Sequence, residues 1–184
     1  MNKTIVILNG SPRLRGNTAM LCDAFTKGAE SAGHVVTRFD LQKMNIHACL
    51  GCMKGGKDPT SPCVQKDDME KIYPAYTKAD LVVLASPMYY WSVSAQLKAA
   101  FDRLFAVAEC DPEYANPCKE CALLMAAEGN TPENWKPVLD YYHALTGFLK
   151  WADRGQVLAG GFLDAGAVSG SPVLDEAFRF GASL

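Results

Sequence analysis

Two uninterrupted apolar runs stand out along the chain. Thr4-Ile5-Val6-Ile7-Leu8-Asn9 ends at Gly10, and Leu81-Val82-Val83-Leu84-Ala85 ends at Ser86-Pro87. Apolar side chains that do not alternate with polar ones mark strands covered on both faces, so these two predict the centre of a parallel sheet. Weaker runs predict strands at Val35 to Phe39, Cys121 to Ala127 and Gln156 to Leu163. Between them apolar positions recur at helical spacing, which predicts helices near Asn17 to Ser31, Asp68 to Lys78, Ser94 to Ala108 and Pro132 to Trp151.

This alternation predicts an α/β three-layer sandwich, because parallel strands need right-handed crossovers and the helices then cover both faces of the sheet. Five strands suggest the order 2-1-3-4-5. In that order the helices after strands 1 and 3 leave to opposite faces, and a crevice opens between the loops that follow Asn9 and Ala85. The whole chain, 1–184, is read as one domain, large enough to fold without a metal or disulfide staple.

Composition narrows the partner. With 49% apolar and 21% charged residues and a formal net charge of −2, the chain has no polybasic signature, so a small molecule is expected and nucleic acid and membrane are not. The N-terminal run of large apolar residues, Ile5 to Leu8, is far short of a signal-peptide core, and no later run approaches a membrane span. The expected location is cytoplasmic. In that reducing compartment the seven cysteines read as thiols, metal ligands or redox groups before disulfides.

The chemistry should lie in the two crevice loops. The first, Asn9-Gly10-Ser11-Pro12-Arg13-Leu14-Arg15-Gly16-Asn17-Thr18, runs from a buried strand into a helix. Gly10 and Gly16 permit tight backbone geometry, the first helical turn offers free N–H groups, and Ser11, Asn17, Thr18 and Arg13 add donors for an anion. Neither GxGxxG nor Gly-Lys-Ser/Thr is present, so one phosphate fits better than two. The same residues would also make an ordinary βα turn with Asn17 as its cap. The second loop, Ser86-Pro87-Met88-Tyr89-Tyr90-Trp91-Ser92, sets three adjacent aromatics at the crevice mouth, which suits a flat heterocycle; packing beneath the next helix or at a subunit contact is the other use for such residues.

Together GSPRLRGNT and SPMYYWSVSAQLKAAFDR, with Asp67-Asp68-Met69 opening the second helix, resemble the NAD(P)H-dependent FMN reductases and iron–sulfur flavoproteins of the flavodoxin-like superfamily. The resemblance covers most of the chain and is strongest over Thr4 to Thr18 and Cys49 to Arg103. It implies a flavodoxin-like fold and a bound FMN, with Ser11, Arg13, Asn17 and Thr18 on the phosphate and Pro87, Met88, Tyr89, Tyr90 and Trp91 along the isoalloxazine. Strand order adds a third flavin-facing segment, Ala126 to Asn130, with Ala127, Glu128 and Gly129 as candidates. The implied activity takes a hydride from NADH or NADPH and passes electrons to a quinone, free flavin, nitro compound or redox protein. The flavin does the electron chemistry, so no protein acid, base or nucleophile is expected. A homodimer or homotetramer is expected. A flavodoxin-type electron carrier without its own NAD(P)H activity, or a metal- or thiol-sensing module, are the alternatives on the same fold.

One motif stands apart from these loops: HACLGCMKGGKDPTSPC, from His47 to Cys63. In the iron–sulfur flavoproteins that this region resembles, four closely spaced cysteines hold a cubane cluster. Cys49, Cys52 and Cys63 match the first, second and fourth, and Gly55 stands in the place of the third. A complete set would need Cys110, Cys118 or a thiol from another subunit, and His47 lies too near Cys49 for the usual spacing of structural zinc ligands. The expectation is free thiols near the flavin without stoichiometric metal. Cys118-Lys119-Glu120-Cys121 runs into a strand, where Cys121 reads as a buried small apolar residue and the pair is not read as a redox motif. His34 and His143 read as surface or packing residues, and Tyr141, Tyr142, Phe148 and Trp151 as core or subunit contact.

Overall fold

A computed structural model describes residues 2–117 and 119–184. Both continuous apolar runs are strands, β1 (Thr4–Asn9) and β3 (Leu81–Pro87), and their aliphatic side chains are buried almost completely. With β2 (Val35–Asp40), β4 (Glu120–Ala126) and β5 (Ala152–Ala159) they form one parallel sheet in the order β2-β1-β3-β4-β5. Strand pleating sends successive residues to opposite faces. Val6, Leu8, Val82, Leu84, Leu123 and Met125 therefore join one core, and Ile5, Ile7, Leu81, Val83, Ala122 and Leu124 the other.

The first core packs against α2 (Met69–Lys78), α3 (Ala95–Arg103), the short α4 (Phe105–Ala108) and α5 (Pro132–Leu149). The second packs against α1 (Asn17–Ser31) and α6 (Pro172–Ala182). These last two helices meet very closely: a Cβ at Gly28 would collide with the Phe178 carbonyl, and one at Gly181 with the Phe25 carbonyl. Phe25 and Phe180 complete the contact edge to face, 5.6 Å between centroids. Since α1 and α3 lie on opposite faces, β1 and β3 flank the switch point that the strand order demands. None of the described helices is long and apolar enough to cross a membrane.

Three features differ from the sequence reading. The last strand starts four residues earlier than Gln156 and ends at Ala159, because β5 is an edge strand whose first residues are exposed and need no apolar character; Gly161, at φ 86°, then turns the chain away. The helix expected over Ser94 to Ala108 is divided at Leu104 into α3 and α4. Helix α6 was not foreseen, although its start is written in Ser171-Pro172: Ser171 Oγ accepts from Val173 N–H at 3.4 Å and proline holds the first turn. Cys121, expected to pack, is buried in β4, and its pair partner Cys118 lies outside the described residues. His34 is buried, its Nδ1 accepting from Lys3 N–H.

Candidate functional site

A cavity of about 200 Å³ opens at the carboxyl ends of β1, β3 and β4. It is lined by Ser11, Arg13, Gly16, Asn17 and Thr18 from the first loop, Pro87, Met88 and Tyr89 from the second, and Ala126, Ala127 and Glu128 from the third. Thus most of the residues singled out in the sequence converge here. Tyr90, Trp91 and Gly129 fall outside the lining. Phe162 and Leu163, from the segment after β5, complete it and were not foreseen as site residues.

The phosphate loop offers backbone more than side chain. Gly16 caps α1 without a side-chain bond, and the first intrahelical bond runs from Met20 N–H to Gly16 O at 3.1 Å. The N–H groups of Asn17, Thr18 and Ala19 precede it, at the positive end of the helix dipole. Gly10 is required by its neighbours: a Cβ there would lie 2.5 Å from Ser94 Oγ and 2.6 Å from Leu97 Cβ. The side chains are partly committed elsewhere. Ser11 Oγ donates to Arg13 O at 3.0 Å and shapes the turn. Arg13 Nη1 donates to Leu163 O at 3.1 Å. Asn17 acts as a clasp, its Nδ2 donating to Phe162 O and Asp164 O at 3.3 and 2.9 Å while its Oδ1 accepts from Val168 N–H at 3.2 Å. Thr18, 2% exposed, lines the cavity beside them.

The opposite wall is fixed by two serines. Ser86 Oγ accepts from Ser94 N–H at 2.8 Å, and Ser94 Oγ donates to Gly10 O at 2.7 Å while it caps α3 by accepting from Leu97 N–H. Ring loop, phosphate loop and helix are thereby tied at one point. Met88 N–H donates to Ala126 O at 2.9 Å, and Phe162 N–H to Ala127 O at 3.0 Å, which aligns the third and fourth walls.

The cysteine segment is held by a different device. Arg103 and Asp67 form a bidentate pair at 2.8 and 3.2 Å, with both side chains essentially inaccessible. Arg103 also donates to His47 O and Gln65 O, and Asp67 accepts from His47 N–H and Met69 N–H, so one ion pair pins both feet of the segment. Burial alone would raise the Asp67 carboxyl, but the hydrogen bonds from Arg103 and then from the backbone of His47 and Met69 hold it down at about 2. Arg103 was not singled out in the sequence, where a basic residue within a helix looks like a surface group. Cys49 and Cys52 are exposed and Cys63 is half-buried; they line a small cleft with Arg103 and Glu109 that shares no residue with the main cavity.

The model of the NADPH-dependent FMN reductases matches residues 3–146, which takes in both crevice loops and all strands but β5. The chain belongs to the NADPH-dependent FMN reductase family. Among similar proteins, an iron–sulfur flavoprotein of Archaeoglobus fulgidus is 39% identical over 102 residues, covering 55% of this chain and 45% of that protein. The chain spans about half the length of the curated relatives it matches most strongly. The NAD(P)H:quinone oxidoreductase of Methanothermobacter marburgensis shares the fold at a TM-score of 0.77 and 20% identity, covering 100% of this chain and 96% of that one. An FMN-dependent NADH-azoreductase of Bacillus anthracis shares it at 0.65 and 14%, covering 97% and 96%.

For a member of the FMN reductase family the cavity fits the flavin it implies: uncapped helical N–H groups for one phosphate, and an apolar wall formed by Pro87, Met88 and Tyr89. The iron–sulfur cluster in the relatives' name fits poorly. The resemblance sets Gly55 in the place of the third cysteine, and a Cβ there would meet the Glu109 carboxylate and lie 2.9 Å from the Pro62 carbonyl. Among the described residues no three His, Cys, Asp or Glu side chains converge as metal ligands. The segment itself supplies three thiols, one short of a cubane's normal set, and Cys118, one of the candidates for the fourth, lies outside the described residues.

Proposed function

We propose that the protein binds FMN in the cavity, is reduced by NADH or NADPH, and delivers the electrons to a small acceptor. The observation that carries this reading is the meeting, at the β1/β3 switch point, of an uncapped helix N-terminus with an aromatic-rimmed apolar wall. When bound, FMN accepts a hydride and passes electrons on singly or in pairs. The chain's residues hold and orient it. The N–H groups of Asn17 to Ala19 and the Thr18 hydroxyl would hold the phosphate, Pro87 to Tyr89 would line the ring, and Phe162 and Leu163 would close the remaining wall. Family membership and the quinone- and azo-reducing structural neighbours support a small conjugated acceptor.

Anaerobic mixing of the FMN-loaded protein with NADH or NADPH is expected to bleach the flavin absorbance. Failure with both nucleotides would leave an electron carrier on this fold. The loop from Cys49 to Cys63 is read as a thiol segment without a cluster; iron and acid-labile sulfide at about four per chain after anaerobic preparation would overturn that part. A homo-oligomer in the cytoplasm completes the reading, and light scattering tests the first half of it.

A further inference from the structure

The turn from Tyr89 to Ser92 is built against its own residue preferences. Tyr89 and Ser92 exchange both backbone N–H···O bonds, each at 3.0 Å, and the two residues between them have φ of 48° and 58°. Positive φ at both central positions marks the type I′ class of tight turn, for which Asn-Gly is favoured because a bulky side chain crowds the left-handed backbone. Here the positions hold Tyr90 and Trp91, and they are the only adjacent non-glycine residues at positive φ among the described residues. Their side chains gain little burial in return: Tyr90 is 96% exposed and Trp91 54%. Strain of this kind is held by the surrounding structure and clusters at ligand-binding sites.

The place of the turn says which ligand. Tyr89, its first residue, lines the cavity. Met88 is bonded to the end of β4, and Ser94 to Gly10, so the turn is fixed to the rim on both sides. The cavity, at about 200 Å³, lies below the roughly 300–1,000 Å³ of small-molecule sites, so an occupant of FMN's size extends past that rim.

We propose that Tyr90 and Trp91 form a strained aromatic platform that binds a planar conjugated acceptor, such as a quinone, at the open edge of the cavity. This rests on the flavoenzyme reading above. A turn closed by two mutual hydrogen bonds fixes the backbone from which both rings project, so little backbone order is lost on binding, and the exposed π faces select flat molecules over compact ones.

The test uses oxidised, FMN-loaded protein and menadione, titrated calorimetrically without nucleotide so that no turnover occurs. The double variant Tyr90→Asn/Trp91→Gly installs the preferred turn residues and removes the rings. Its Tm is expected to rise by about 3 °C or more, and its menadione Kd to increase about tenfold. Tyr90→Phe/Trp91→Phe keeps rings and strain, and is expected to bind within about twofold of the unchanged protein. An unchanged Kd in the Asn-Gly variant overturns the proposal, as does a wild type that does not bind menadione even though NAD(P)H reduces its flavin. A fall in light-scattering mass with the Kd unchanged assigns the rings to a second copy of the chain and overturns it as well. Menadione binding that depends on the rings, in a protein whose flavin neither nucleotide reduces, sinks only the functional reading.

Discussion

Asp67 and Arg103 show how much one buried pair can organise. Both charges are out of water, and between them they satisfy His47 twice, Gln65 and Met69. Removing one charge leaves the other buried alone, so Asp67→Asn is expected to destabilise the protein by about 3–5 kcal/mol in chemical denaturation. The pH dependence has a definite sign. The folded-state value, about 2, lies below the ordinary 3.8, so the carboxylate's contribution is complete above about pH 4 and is lost as pH falls towards 2. Wild type and Asp67→Asn should therefore converge in stability across that interval. Asn17 makes the neighbouring case. Its amide carries three hydrogen bonds to the segment after β5, and Asn17→Ala is expected to lower stability by about 2–4 kcal/mol as well as FMN affinity. A variant with weakened flavin binding and wild-type stability would return Asn17 to the phosphate.

At the level of elements, α1 and α6 approach each other closely, because glycine on each helix admits the other's backbone. Gly28→Ala places a methyl group against the Phe178 carbonyl, which cannot move without the helix, and is expected to cost about 1–3 kcal/mol in a denaturant titration. Neither half of that contact is visible in the chain before folding, since a glycine inside an apolar helix carries no sign of what approaches it. β1 and β3 were legible because burial on both faces leaves an unbroken apolar run. β5 was displaced because its exposed first half looks like loop. The crevice loops were readable from side chains, but the wall from Phe162 to Asp164 was not, because it meets Arg13 and Asn17 through backbone carbonyls, which every residue has. The aromatic cluster was legible as a group. Its direction was not, because Tyr90 and Trp91 give no hint of the left-handed backbone that turns them outward.

The molecule as a whole closes its cavity with contacts between residues far apart in the chain: Asn17 reaches Val168 across 151 positions. Such contacts require the longest loop closures, so they are expected to form after the main barrier to folding has been crossed. A ligand that needs them recognises only the finished structure. At 100 times its Kd, FMN adds about 2.7 kcal/mol of stability. Stopped-flow kinetics should find that gain almost wholly in the unfolding arm, slowed roughly 100-fold, with the refolding rate unchanged; refolding accelerated by FMN would mean that the clasp closes early. On that outcome the Asn17 clasp would give the flavin a role in time as well as in chemistry. The cofactor would not help the chain find its fold; it would set how long the fold lasts.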